Sequence, residues 1–131
     1  MINDKLVIEL QEQIDELKSV VLYSNTTGGT ETFSCSENIS NFRYLQFDFQ
    51  HQHYRSSAIA PVIDGTLEIT SIGIPEGNQT VQIVVDRFTY NESTITFVNE
   101  GMVNFTNKTI SWESISDEVQ SIKINRIIGF K

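Results

Sequence analysis

The sequence is short of cysteine, histidine and cationic side chains, with one Cys, two His and nine Lys or Arg among 131 residues. Each shortage removes a class of function. Cys35 alone cannot close an intrachain disulfide or build a thiolate metal cage, which argues against a small secreted disulfide scaffold, and folding in a reducing cytoplasm is expected. Nine cations against seventeen carboxylates leave a formal charge of −8. Nucleic-acid affinity needs clustered Lys and Arg, so binding to DNA or to an anionic membrane is disfavoured. No apolar run is long enough to span a bilayer, and no basic stretch precedes an apolar one near Met1. A soluble chain, not exported by a signal of its own, is the expectation. Six Asn-x-Ser/Thr triplets occur, at Asn25, Asn38, Asn78, Asn91, Asn104 and Asn107. Heavy use of Asn, Ser and Thr accounts for them, and no glycosylation is inferred.

Catalytic signatures are missing as well. There is no G-x-S-x-G elbow, and the two histidines lie two residues apart, so no sequence signature of a hydrolytic triad is present. Gly28-Gly29 follows a helical pattern and opens a β region, the reverse of phosphate-loop order. Any acidic chain holds carboxylate pairs that could in principle cleave glycans. Nothing in their spacing singles a pair out, and the expectation is no enzyme. No EF-hand loop is present, although Asp64, Glu68 or Asp86 could ligate calcium from a β loop.

What is present divides the chain in two. From Asn3 to Ser24 there is no Gly or Pro, and Leu, Glu, Gln, Lys and Ile dominate. Val7, Leu10, Ile14, Leu17 and Val21 recur at 3-4 spacing, the period of a coiled-coil seam, with Glu9, Glu12, Asp15, Glu16 and Lys18 on the outside. About three heptads are too short to be stable as a lone helix, so this segment needs a partner. β-branched a positions with Leu at d do not choose between dimer and trimer here. The reading is a coiled-coil stalk over 1–25, a linker over 26–31 carrying Gly28-Gly29, and a β head over 32–131.

In the head the apolar period changes to two. Leu45, Phe47 and Phe49 alternate with Gln46, Asp48 and Gln50 in a strand expected from Phe42 to Tyr54. Leu67 and Ile69 mark a second, and Val81, Ile83 and Val85 a third ending near Tyr90. Ile95 with Phe97 and Val103 with Phe105 mark two more, with a hairpin loop expected at Asn99-Glu100-Gly101. Ile110 with Trp112 follows a turn at Asn107-Lys108. Ile122, Ile124, Ile128 and Phe130 are expected along one face of the last strand, interrupted at Arg126. Turn formers at Asp64-Gly65 and Glu76-Gly77-Asn78 separate the runs. Eight or nine short strands without a helical interruption indicate antiparallel sheets in a sandwich or jelly roll.

Candidate ligand contacts are few. His51 and His53 share a strand face, but two imidazoles make an incomplete coordination shell, and no metal or cofactor is expected there. A saccharide needs an aromatic face beside polar groups, for which Tyr54, Arg55, Asp86, Arg87, Phe88, Tyr90 and Trp112 are the candidates. Trp112 alternates with Ile110, which favours core packing two to one.

Three stretches carry a resemblance: ELQEQIDELKSVVLYSNTTGGTETFSCSENISNFRYLQFDF, the middle strand pairs, and the ending SIKINRIIGFK. The chain resembles small tail-fibre and baseplate proteins of tailed phages that infect Gram-positive bacteria. In such proteins a Leu-Tyr pair near the end of the stalk, here Leu22-Tyr23, precedes a Gly-Thr-rich linker. The resemblance implies a homotrimeric virion protein, made in the host cytoplasm, whose β head binds cell-wall saccharide or teichoic acid. An anionic ligand would then need a local basic pocket drawn from Arg43, Arg55, Arg87 or Arg126. The competing expectation is a head fibre, decoration protein or baseplate connector that binds other virion proteins and no host.

Overall fold

The computed structural model describes residues 3–17, 19–51, 55–73, 81–106, 109–115 and 122–131. Helix α1 (Asp4–Leu17) precedes nine strands: β1 (Ser19–Gly29), β2 (Thr32–Ser34), β3 (Tyr44–Gln50), β4 (Arg55–Pro61), β5 (Thr66–Gly73), β6 (Val81–Asn91), β7 (Thr94–Thr106), β8 (Thr109–Ile115) and β9 (Lys123–Phe130). A single 3-10 turn at Ile39–Asn41 is capped by the Asn38 side chain, which accepts from the Ser40 amide.

The helix ends sooner than the sequence pattern suggests. Ser19 to Ser24, expected in the stalk, form the start of β1, and β1 runs on through most of the expected linker to Gly29. Val21 pairs with Ile128 rather than extending a helical seam, and Leu22 is in the core. The reason is tertiary. Val20, Val21 and Leu22 are β-branched or apolar enough to serve in either element; Val20 and Val21 pair with β9, while Leu22 is in the core and its carbonyl accepts from the Ser36 amide. Within α1, Val7 and Leu10 are 47% and 49% exposed. The side chains of Ile14 and Leu17 lie outside the description, as do Tyr54 and the turns expected at Glu76-Gly77-Asn78 and Asn107-Lys108.

All described strand pairs are antiparallel, and they form two sheets. One has the order β1-β9-β3-β4; the other has the order β2-β7-β6-β5, with β8 also paired to β7. The sheets face each other in a β-sandwich-like arrangement over one apolar core. Leu22, Leu45, Phe47, Phe49, Ile122, Ile124 and Ile127 come from the four-stranded side. Phe33, Leu67, Ile69, Phe88, Ile95 and Phe97 come from the other. Phe47 stacks on Phe88 across the gap at 5.2 Å, and Phe88 meets Phe97 edge to face at 5.7 Å. The connection from β4 to β5 passes from one sheet to the other and turns at Asp64 and Gly65, both with positive φ, between the bridged residues Ile63 and Thr66.

Four strand readings change. On β6 the inward residues are Val84, Asp86 and Phe88, so Val81, Ile83 and Val85 fall on the other parity. The expected loop at Asn99-Glu100-Gly101 is instead the middle of β7, which is continuous over thirteen residues. On β9 the alternation breaks beside Arg126. Ile127 is buried where Ile128 was expected, and Ile128 and Phe130 are only partly covered. Strand β4 fills the space after the expected Phe42-to-Tyr54 strand, which is confined to Tyr44–Gln50.

Candidate functional site

The second and third of those changes have one cause, a β-bulge, and each bulge builds a polar site. On β9, Asp48 pairs with Arg126 but Phe49 pairs with Ile124, so Asn125 is the extra residue. The facing edge strand departs further: β1 pairs Ser24 with Arg126 and next Gly29 with Ile124, leaving Asn25 to Gly28 bowed outward. Asn125 ties down this bow by donating from Nδ2 to the carbonyls of Asn25 at 3.1 Å and Thr26 at 3.4 Å. Asn25 Oδ1 in turn accepts from the Thr27 amide and hydroxyl. Gln50 reaches the Thr27 carbonyl from the other side.

The bow is one wall of an open groove of about 560 Å³ on the outer face of the four-stranded sheet, whose floor and far wall come from β3, β9 and β4. At its centre Asp48 accepts from Ser57 Oγ at 2.6 Å, Arg126 Nε at 2.7 Å and Gln46 Nε2 at 2.9 Å. Partial burial pushes the Asp48 carboxyl up. The hydrogen bonds from Ser57, Gln46 and Arg126, with the Arg126 charge, outweigh that and hold it below its ordinary value. Asp48 is therefore ionised and its charge is locally matched. Arg55 and Ser56 complete the lining. The groove thus offers hydroxyl, amide and guanidinium groups, the equipment for a hydroxylated ligand bearing a negative group.

The seven candidate contacts do not come together, and Phe88 is in the core. Arg55 lies in this groove and Tyr54 is outside the description. Arg87 is on the outer face of the other sheet, where its Nε meets Glu68 at 2.9 Å. Tyr90 is partly buried against the core, and the Trp112 backbone pairs with Val103. Asp86 points inward and is fully buried, which removes it from any surface site.

Asp86 belongs to a second polar site inside the sandwich. On β7 the bulge lies between Phe97, paired with Phe88, and Asn99, paired with Arg87. The extra residue, Val98, shifts the alternation and brings Glu100 onto the inward face directly opposite Asp86. His51, just past the end of β3, approaches from the opposing sheet, with Nε2 3.4 Å from Asp86 Oδ2. Donor atoms of His51, Asp86 and Glu100 all lie within 4.8 Å of one another. Burial raises the Asp86 carboxyl to about 6, with a hydrogen bond to Glu100 working against the rise. Burial lowers the His51 imidazole, with the Glu100 charge opposing.

Glu100 and the groove residues Asp48, Asn25 and Asn125 were missed from the sequence. The period-2 alternation of Leu45, Phe47 and Phe49 does extend to His51, so its inward direction was legible. Glu100 gave the opposite signal, because an Asn-Glu-Gly triplet reads as a turn. No family model matches the chain, and no curated protein matches it. Among the described residues no helix is long and apolar enough to cross a membrane.

Proposed function

We propose that this chain is a tail or baseplate protein of a phage virion that assembles as a homotrimer and binds saccharide on the host surface. The helix supports the assembly. It has fourteen residues and makes no substantial packing contact with either sheet among the described residues. Leu6, Val7, Ile8 and Leu10 are about half exposed on it. A helix of that length is marginal in water by itself, so its apolar stripe needs another surface. The heptad spacing suits copies of itself. A jelly-roll-like head on a short three-stranded coil then presents three equivalent grooves.

The single observation that carries the binding role is the groove built around Asp48, Arg126 and Arg55. A chain serving only as scaffold has no need of a bulged strand, a bowed edge and a ring of matched polar groups on one outer face. The groove suits an anionic cell-wall polymer: sugar hydroxyls meet Ser57, Asn25 and Asn125, and a phosphate or carboxylate meets the arginines.

Light scattering of the purified chain tests the assembly and a cell-wall glycan array tests the binding. The expected results are a mass of three copies and array binding that Arg55→Ala weakens without changing that mass. A single-copy mass throughout the micromolar range would overturn the trimer. Firm attachment to virions with no glycan or host-cell binding would identify a connector instead.

A further inference from the structure

We propose that His51, Asp86 and Glu100 form a binding site for one divalent transition-metal ion, of the zinc or manganese class, held between the two sheets. The site begins with an electrostatic problem. Asp86 and Glu100 are direct cross-strand partners, and both are 0% exposed. Like charges opposite one another destabilise a sheet even at its surface, and burial removes the water that would screen them. A shared proton, an imidazolium or a cation would each relieve that repulsion.

Geometry and chemistry favour the cation at neutral pH. Both Asp86 carboxylate oxygens are buried, and among the described residues neither has an N–H donor in hydrogen-bond geometry. A hydrogen bond between the Asp86 and Glu100 carboxyls exists only while one of them is protonated. His51 is 8% exposed and its ring packs edge-on against Phe49 at 5.4 Å, an apolar wall that disfavours a charged imidazolium. A neutral imidazole with two carboxylates balances a dication.

The donor set narrows the ion. One nitrogen and carboxylate oxygens suit zinc or manganese, whereas calcium takes six to eight oxygens and seldom an imidazole. Tetrahedral coordination at about 2.1 Å separates donors by roughly 3.4 Å. His51 Nε2 and Asp86 Oδ2 already stand at that spacing, and a Glu100 donor atom lies within 4.8 Å of both residues' donors. Three protein ligands leave a fourth position for water. Because His51 comes from the four-stranded sheet and the carboxylates from the other, the ion would act as a staple across the core, in place of the disulfide that a single cysteine cannot make.

The test uses the full chain, stripped with EDTA and titrated with zinc chloride and, separately, manganese chloride at pH 7.5. Calorimetry should give one ion per chain. Thermal unfolding should shift upward by about 10 °C at a hundredfold excess over Kd. Asp86→Asn, Glu100→Gln and His51→Gln should each lose the calorimetric signal and the shift, while His53→Gln keeps both. Cobalt substitution gives a readout independent of stability, since its visible absorption reports nitrogen and oxygen ligation and should vanish in Asp86→Asn. Absence of binding by a natively folded parent would overturn the proposal in favour of a shared proton. Binding that survives Asp86→Asn but fails in His53→Gln would overturn it by placing the ion elsewhere.

Discussion

Replacing Asp86 by Asn should stabilise the metal-free protein at neutral pH, an unusual outcome for a polar substitution at a fully buried position. The folded-state pKa of Asp86 is raised from 3.8 to about 6 by burial. Between those values the folded protein holds a proton that the unfolded chain has released. The stability linked to this group is therefore complete below pH 3.8 and is lost as pH rises through about 6. A rise of about two pKa units corresponds to about 3 kcal/mol at 1.36 kcal/mol per unit, an upper figure because the carboxyls titrate as a pair. The titratable groups facing Asp86 among the described residues are Glu100 from β7 and His51 from the end of β3. Since burial holds His51 neutral near pH 7, it does not cancel the penalty. Asn has nearly the same shape, carries no charge, and brings an N–H donor to the Glu100 carboxylate. Urea unfolding followed by circular dichroism, in EDTA and at fixed protein concentration, measures the effect. The variant should exceed the parent by roughly 1–3 kcal/mol at pH 7.5, with the difference shrinking toward zero near pH 4. A parent whose stability is flat between pH 4 and 7.5, or a variant that loses equally at both, would refute the reasoning.

Two further predictions concern packing and reactivity. Gly129→Ala should destabilise by about 1–3 kcal/mol, because a Cβ there would stand 2.5 Å from the buried Phe42 ring. Denaturant titration checks it, and Phe42→Leu in the same background should recover part of the loss. The Cys35 thiol is pushed up from 9.0 to about 11 by burial, so its thiolate is about a hundredfold scarcer than that of a free cysteine at pH 8. Reaction with a thiol reagent should be slow in the native protein and fast in urea; rapid labelling under native conditions would show that Cys35 is more open than its packing implies.

Sequence by itself determined the class of the protein. The change of apolar period shows that a helix precedes a β region, though it sets their boundary too late, and period 2 fixes the inward faces of β3 and β5. Leu45, Phe47, Phe49, Leu67 and Ile69 are in the core as their alternation implies. Asp64-Gly65 is a turn because two successive residues there adopt positive φ, which few pairs do as readily. These features are local, so local chemistry reveals them.

Tertiary structure decided the rest. Whether Ser19 to Ser24 continue the helix or open a sheet depends on β9, a hundred residues further along the chain. Which parity of β7 and β9 turns inward depends on where each bulge inserts its extra residue, and a bulge is a property of two paired strands. Both polar sites sit at those bulges. The groove gathers side chains from four strands, and the His51–Asp86–Glu100 cluster joins two sheets. Their residues are far apart in sequence and unremarkable one at a time, and only the register of long-range strand pairing places them within reach of one another.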